Sequence, residues 1–332
     1  MKKILITGAA GFIGSSLANN LYANGHELVL IDSLEYGGDI RRLKNGLREN
    51  LVIDKLDNLE LLKPHIEGVE IVFHFAGISS LPQNESNPLE SIKNNFQSTT
   101  IVYEAAIDSG VKQFYFASTS AVYENTQKDI FDESDEVDPD LMYSYSKLLS
   151  ESYLNKRSAK MDGIVCTVLR FFNVFGSGQN TLRLNPPLTG YLISNLIDDK
   201  PVTLYNKSNT KRDYVHVNDI IYAVQVLMEK RPKDIERFLT LNVCSGNVYS
   251  VRDIIEILNA IGPRKLNINY KDPQSMWDKH SGVLSKISTN RVVKEVFKQS
   301  KGNNLRIREY LGQNYEFVDL KYGLEKMLND LI

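Results

Sequence analysis

The feature that most constrains this chain is the run GAAGFIG, in which Gly8, Gly11 and Gly14 sit between an apolar run at residues 3–7 and helical spacing at residues 12–24. Glycines placed there allow a tight turn, close approach of an anion to the backbone, and a helix that starts with its N–H groups free. Those groups and the helix dipole favour a pyrophosphate, so the run reads as a dinucleotide site. The spacing is GxxGxxG rather than GxGxxG. Three packing glycines would give the same letters, but the position between strand and helix is what the dinucleotide turn requires.

The rest of the first half repeats that rhythm. Apolar runs at 27–31, 51–53, 70–75, 113–117 and 164–171 alternate with helical patterns at 58–66, 88–109 and 142–160. Short runs without polar alternation imply parallel strands buried on both faces, and the βαβ order predicts an α/β, doubly wound (Rossmann) sheet. After Phe172 the rhythm breaks. Residues 173–187 read as a loop, 188–198 as a helix, 202–205 as a short strand and 218–230 as a helix. A strand at 239–243 returns to the sheet. The predicted division is a dinucleotide-binding domain of residues 1–172 plus about 212–248, and a smaller α/β C-terminal substrate domain of 173–211 and 249–332. The stretch 272–288 carries the weakest pattern. A chain of 332 residues is long enough for both cores.

The formal net charge of −2 gives no reason to expect nucleic acid as a partner. No apolar run approaches the roughly 20 residues of a membrane span, and the strand pattern begins at once, with no leader before it. Cys166 and Cys244 lie in apolar runs and read as buried thiols in a reducing compartment. The expectation is a cytoplasmic protein. Neither CxxC nor HExxH occurs, so no metal site is expected.

Asp32 ends the second strand. A carboxylate there accepts both ribose hydroxyls of an adenosine and repels a 2′-phosphate, which favours NAD over NADP; an acid at a strand end also caps turns. Asp54, beyond the third strand, is a candidate for the adenine amino group or for a helix cap. Tyr143 and Lys147 form YxxxK, and on a helix they share a face. A lysine cation beside a phenol lowers its pKa towards that of a general base. Tyr322 and Lys326 repeat the pattern and read as spacing on the last helix. Context selects the first pair, since a preceding strand ends in Ala117, Ser118, Thr119 and Ser120. Hydroxyls at a strand's C-terminal edge stand where open α/β sheets bind ligands, and hydroxyls also make turns. Thr119 can share the substrate hydroxyl with Tyr143.

Taken in order, GAAGFIG, HFAG (His74 to Gly77), STSAVY (Ser118 to Tyr123), YSYSK (Tyr143 to Lys147), LRFFNVFG (Leu169 to Gly176) and RDYVHVND (Arg212 to Asp219) resemble the extended short-chain dehydrogenase/reductase family of NAD-dependent epimerases and dehydratases. The likeness spans about residues 1–260. It implies a catalytic trio of Thr119, Tyr143 and Lys147. It implies NAD held by Gly8, Gly11, Phe12, Ile13, Gly14, Asp32, Asp54, Ala76 and Lys147, with Asn95 supporting the site. It assigns Asn173 and Arg212 to a nucleotide diphosphate and Leu204 and Tyr205 to the base. It also implies a homodimer through the Tyr143 helix and the 88–109 helix.

Within such a family, dehydratases carry Asp-Glu after the threonine, and sugar-acid decarboxylases a glutamate at the second position. Ser120 and Ala121 stand there instead, which leaves oxidation and re-reduction at C4 of a sugar. The resemblance is strongest to UDP-hexose 4-epimerases. The turn at Ser79, Ser80, Leu81 and Pro82 resembles that of epimerases acting on N-acetylated sugars, and makes Ser80 a substrate candidate. A UDP-sugar partner is therefore expected. A 4-keto-sugar reductase and an inactive NAD or nucleotide-sugar binding protein remain as alternatives. Two departures stand out. The stretch 272–280 has no arginine where relatives place a diphosphate-binding one, with Lys279 as a substitute, and Glu124 replaces a common glycine.

Overall fold

The computed structural model describes residues 1–331 apart from 180, 182, 231–236 and 281. Twelve strands are named in chain order: β1 (Lys3–Thr7), β2 (Glu27–Asp32), β3 (Leu51–Ile53), β4 (Ile71–His74), β5 (Gln113–Thr119), β6 (Val165–Phe171), β7 (Asn173–Phe175), β8 (Val202–Leu204), β9 (Lys211–His216), β10 (Phe238–Val243), β11 (Val248–Ser250) and β12 (Ile268–Tyr270). Seven of them form one parallel sheet in the order β10-β6-β5-β4-β1-β2-β3. The predicted doubly wound sheet is present, and the strand after the broken rhythm does return to it, as β10 beside β6.

Alternate residues of each strand face opposite cores. In β1, Ile4 and Ile6 pack with Leu17, Leu21 and Phe73 on one face, while Leu5 packs with Ile66, Val102 and Phe116 on the other. All these side chains are excluded from water or nearly so. At ~25 cal/mol per Å² of apolar surface, covering both faces is the main stabilising term for such strands. Cys166 and Cys244 are free and fully buried.

The remaining strands form two small sheets. One has the order β11-β9-β7 and the other pairs β12 with β8. A third core joins Leu192, Val202, Leu204, Ile254, Leu258 and Leu324. The Leu305–Leu311 helix, although late in the chain, sends Ile307 and Leu311 into the first core.

The structure departs from expectation in the segment read as a loop, whose residues 180 and 182 lie outside the described set. Its first residues form β7, because Asn173–Phe175 pairs in parallel with β9, a partner distant in sequence. The predicted helix at 88–109 is interrupted. Pro88–Ser91 and Ser98–Asp108 are α-helical, with a π-helical turn, Ile92–Gln97, between them. Hydroxyls of Ser98, Thr99 and Thr100 donate to the carbonyls of Asn94, Asn95 and Phe96, and such back-bonding loosens the regular ladder. Among the described residues no helix is long and apolar enough to cross a membrane.

His74 joins β4 to its surroundings through Thr7 Oγ1 at 2.8 Å and Thr99 Oγ1 at 3.0 Å. Burial pushes its pKa down to about 3. The unfolded chain therefore binds this proton first, and stability falls as pH drops from about 6.5 towards 3. Urea unfolding from pH 7 to 4 should show a wild-type stability slope steeper than that of His74→Asn by up to about 1.4 kcal/mol per pH unit. Equal slopes would show that the histidine is not held neutral.

Candidate active site

The site begins at the glycine turn. Gly8 has φ +69°, and a Cβ there would lie 2.7 Å from the Ala76 nitrogen. A Cβ on Gly14 would lie 2.1 Å from the Gly8 carbonyl oxygen. The Phe12–Ala23 helix starts at Gly11 with no side-chain cap and no acid in its first turn. Its end is a bare anion site of the kind a pyrophosphate occupies. Gly8, Gly11, Phe12, Ile13, Gly14, Asp32, Asp54 and Ala76 all line one cleft along the C-terminal edge of the sheet, together with Thr119, Tyr143 and Lys147.

Asp32 is nearly buried and accepts from the Ala10 and Leu34 nitrogens at 2.9 and 2.8 Å. It retains lone pairs for a diol. Helix capping does not fall to Asp54. Asn58 caps the Leu59–Ile66 helix by accepting from Glu60 N at 2.9 Å. These observations fit the adenosine half of NAD.

At the other end β5 and the Met142–Ser158 helix bring the catalytic candidates together. Lys147 is 4 % exposed. Its ammonium donates to the Ala117 carbonyl at 2.9 Å and lies 4.6 Å from the Phe116 ring centroid. Burial lowers its pKa to about 8. Thr119 Oγ1 accepts from Ala121 N at 3.1 Å, the turn expected for such a hydroxyl, and its hydroxyl favours ionisation of the Tyr143 phenol. Burial raises the Tyr143 pKa, opposed by Thr119 and by the positive charge of Arg183. Arg183 thus adds a second cation beside this phenol, in the cleft that Lys147 also lines.

Arg183 was not legible in the sequence. It sits in the segment read as a loop, lines the cleft, and donates to Asn185 O at 2.8 Å and Ser79 Oγ at 3.2 Å. No spacing rule points to it. Ser79, rather than Ser80, lines the cleft; Ser80 sits at the N-cap of the Leu81–Ser86 helix. Asn95 lies behind the cleft wall. Its Oδ1 accepts from Ile78 N at 2.8 Å and its Nδ2 donates to Ser146 Oγ at 3.1 Å on the Met142–Ser158 helix.

The residues assigned to the nucleotide do not line this cleft. Asn173 Nδ2 donates to Asp213 O at 2.8 Å, joining β7 to β9. Leu204 is buried in the third core, and Tyr205 is half-buried. Arg212 donates to Glu295 O at 2.7 Å and to Lys298 O at 3.3 Å. Lys279 is exposed. Tyr322, of the second YxxxK, is exposed on the last helix and does not line the cleft.

A parallel sheet with a glycine turn after β1 and a hydroxyl–phenol–lysine cluster after β5 defines an NAD-dependent oxidoreductase-like α/β protein. Comparison with known proteins narrows this. Residues 4–244 match the NAD dependent epimerase/dehydratase family, and the chain belongs to it; NAD is its cofactor. An uncharacterized UDP-glucose epimerase of Bacillus subtilis, YtcB, is 28% identical over 295 residues, covering 83% of this chain and 88% of that protein. The UDP-glucose 4-epimerase of Thermotoga maritima, solved with UDP-glucose, superposes with a TM-score of 0.85 at 25% identity, over 99% of this chain and 98% of that one. TunA, an NAD-dependent NDP-hexosamine 5,6-dehydratase, superposes with a TM-score of 0.81 at 24% identity, over 99% and 97%; that likeness is one of fold.

The buried ammonium gives a direct test. In a pH titration followed by NMR of labelled lysine side chains, Lys147 should lose its proton with a midpoint near pH 8, while exposed lysines titrate above 10. A midpoint of 10 or more would show that its pocket is hydrated.

Proposed function

We propose that the protein is an NAD-dependent 4-epimerase of a UDP-hexose, in its neutral, N-acetylated or uronic acid form, working through a transient 4-keto sugar. The observation that carries this reading is the distribution of acids in the cleft. Asp32, Asp54, Asp57 and Glu90 line it, Asp32 at the end of β2 and the others on segments following β3 and β4. The rest of the described lining, which includes Tyr143, Ala117, Ser118, Thr119, Phe171, Phe172 and Arg183, carries no carboxyl group, and Glu124, whose charge acts on Tyr143, does not line the cleft. Loss of water from a keto sugar needs an acid and a base beside the ring. Reversible oxidation needs one proton acceptor and a hydride store.

Bound NAD supplies that store. Tyr143, as the phenolate, accepts the C4 hydroxyl proton and returns it when the carbonyl is reduced. Thr119 holds the same hydroxyl. Arg183 offsets the phenolate's charge, and Lys147, tied to Ala117, keeps the helix against β5. The sugar must turn over between the two transfers for the configuration to invert. Asn173, Leu204, Tyr205, Arg212 and Ser80 are retained for the nucleotide and sugar on the strength of the resemblance. Leu89 and Tyr145 are exposed on the two helices expected to pair copies, which supports a homodimer.

The test is incubation with UDP-glucose, UDP-N-acetylglucosamine and UDP-glucuronate and their C4 epimers, without added cofactor, followed by NMR of the sugars. At least one pair should interconvert with no net NADH. Tyr143→Phe should lower kcat about 10²- to 10⁴-fold and leave nucleotide-sugar affinity unchanged. Stoichiometric oxidation of added NADH or NADPH would replace this reading with the reductase. Binding without turnover would replace it with the binding protein.

A further inference from the structure

The mouth of the cleft is crossed by side-chain links between the segments that leave β2, β3 and β4. Tyr36, on the segment after β2, donates its hydroxyl to the Glu90 carboxylate on the Pro88–Ser91 helix after β4. Asn94, one turn further, donates to the same carboxylate oxygen at 2.6 Å and to the Glu90 carbonyl at 3.0 Å. Glu35 pairs with Lys55 at 2.6 Å, and Asp57 with Lys93 at 3.3 Å. These last two pairs are largely exposed, and such pairs contribute little. The Tyr36–Glu90–Asn94 link is half-buried and has an ionised acceptor, which makes it the strongest of the set.

The sheet order decides what this link covers. Neighbours run β4-β1-β2-β3, so the glycine turn after β1 lies between the segments that Tyr36 and Glu90 come from. All three latch residues and the turn line the same cleft. The segment carrying Tyr36 is also shaped in advance. Leu34 holds a left-handed φ of +62°, unfavourable for a branched side chain, and Asp32 fixes it by accepting from Leu34 N. A Cβ on Gly38 would lie 2.6 Å from Asp32 Oδ1, so the same carboxylate that faces the ribose seats both ends of the strap.

We propose that Tyr36, Glu90 and Asn94 form a latch over the adenosine half of bound NAD, which must open before the cofactor can leave. The latch makes NAD a resident group whose exchange is limited by opening of the strap. It concerns cofactor retention alone and stands apart from the sugar chemistry proposed above. Tyr36→Phe deletes only the hydroxyl, and Glu90→Gln removes only the charge.

The experiment is release of radiolabelled NAD from the holoenzyme into excess unlabelled NAD, with thermal unfolding run alongside. The wild type should exchange slowly, and each variant about tenfold faster at a similar melting temperature. The double variant should be no faster than the faster single one, because both remove one link. Wild-type release rates in both variants, or a double variant whose increase is the product of the singles, would overturn the latch. Should either variant melt far below the wild type, Asn94→Ala serves in its place, with faster release expected and an unchanged rate counting against the proposal. A failure of all sugars to turn over would leave these rates measurable and so bears only on the function proposed above.

Discussion

The contact on which the site depends is that of Gly14 with the Gly8 carbonyl, where an added Cβ would lie 2.1 Å from the oxygen. It lets the first helix leave the strand end at once, with its N-terminus bare. Gly8 is in turn wedged against the Phe75–Ala76 backbone, and Gly77, next along, leaves room for Lys147 Nζ, which would lie 3.3 Å from a Cβ there. Backbone approaches therefore run from the dinucleotide turn to Ala76, and Gly77 then meets the side chains of Asn95 and Lys147. A side chain at any of them would push the cofactor cleft and the Tyr143 helix apart.

The helix that presents Tyr143 is held from the opposite side by the C-terminal half. Leu141, at its N-cap, packs with Trp277, Val283 and Val292. Glu124 accepts from Asp140 N, Leu141 N and Ser144 Oγ at 2.8, 3.0 and 2.8 Å, satisfying N–H groups that a helix start leaves open. Its side chain is 1 % exposed and is flanked by Arg291 at 3.3 Å and Lys298 at 3.7 Å. A buried carboxylate without such partners would cost several kcal/mol, so the glutamate and the late cations stand or fall together. Further along the same helix Glu151 takes Arg170 at 2.7 Å and the Ser118 hydroxyl. Trp277 and Val283, from the weakly patterned stretch, thus support the Tyr143 helix.

How much of this was legible follows from the range of the interactions. The seven-stranded sheet was readable because its strands are continuous apolar runs spaced by helices, a local signal. The small strands were not. Asn173–Phe175 and Lys211–His216 are short, carry polar residues, and become strands only through distant partners, β7 beside β9 and β9 also beside β11. The break in the 88–109 helix was hidden for a different reason. Serine and threonine at 98–100 are tolerated in helices, and only their bonds to the preceding carbonyls mark the π turn. Trp277 is almost fully buried, yet nothing around it is periodic, since its partners come from three other segments.

The site divides along the same line, and its arginines show this best. Arg212 stands in a recognisable motif, and the resemblance assigns it to a diphosphate. In the structure its guanidinium holds the backbone of Glu295 and Lys298, 83 and 86 residues away, and pairs with the Glu295 carboxylate at 3.6 Å. Its donors fasten the C-terminal segment whose cations neutralise Glu124. Arg183 stands in no motif, yet it faces the cleft and acts on Tyr143. A guanidinium's charge is spent on whichever acceptors the fold brings to it. A motif can name the residue, but the partners that decide between fastening the protein and serving the cleft lie far off in the chain, beyond any local spacing.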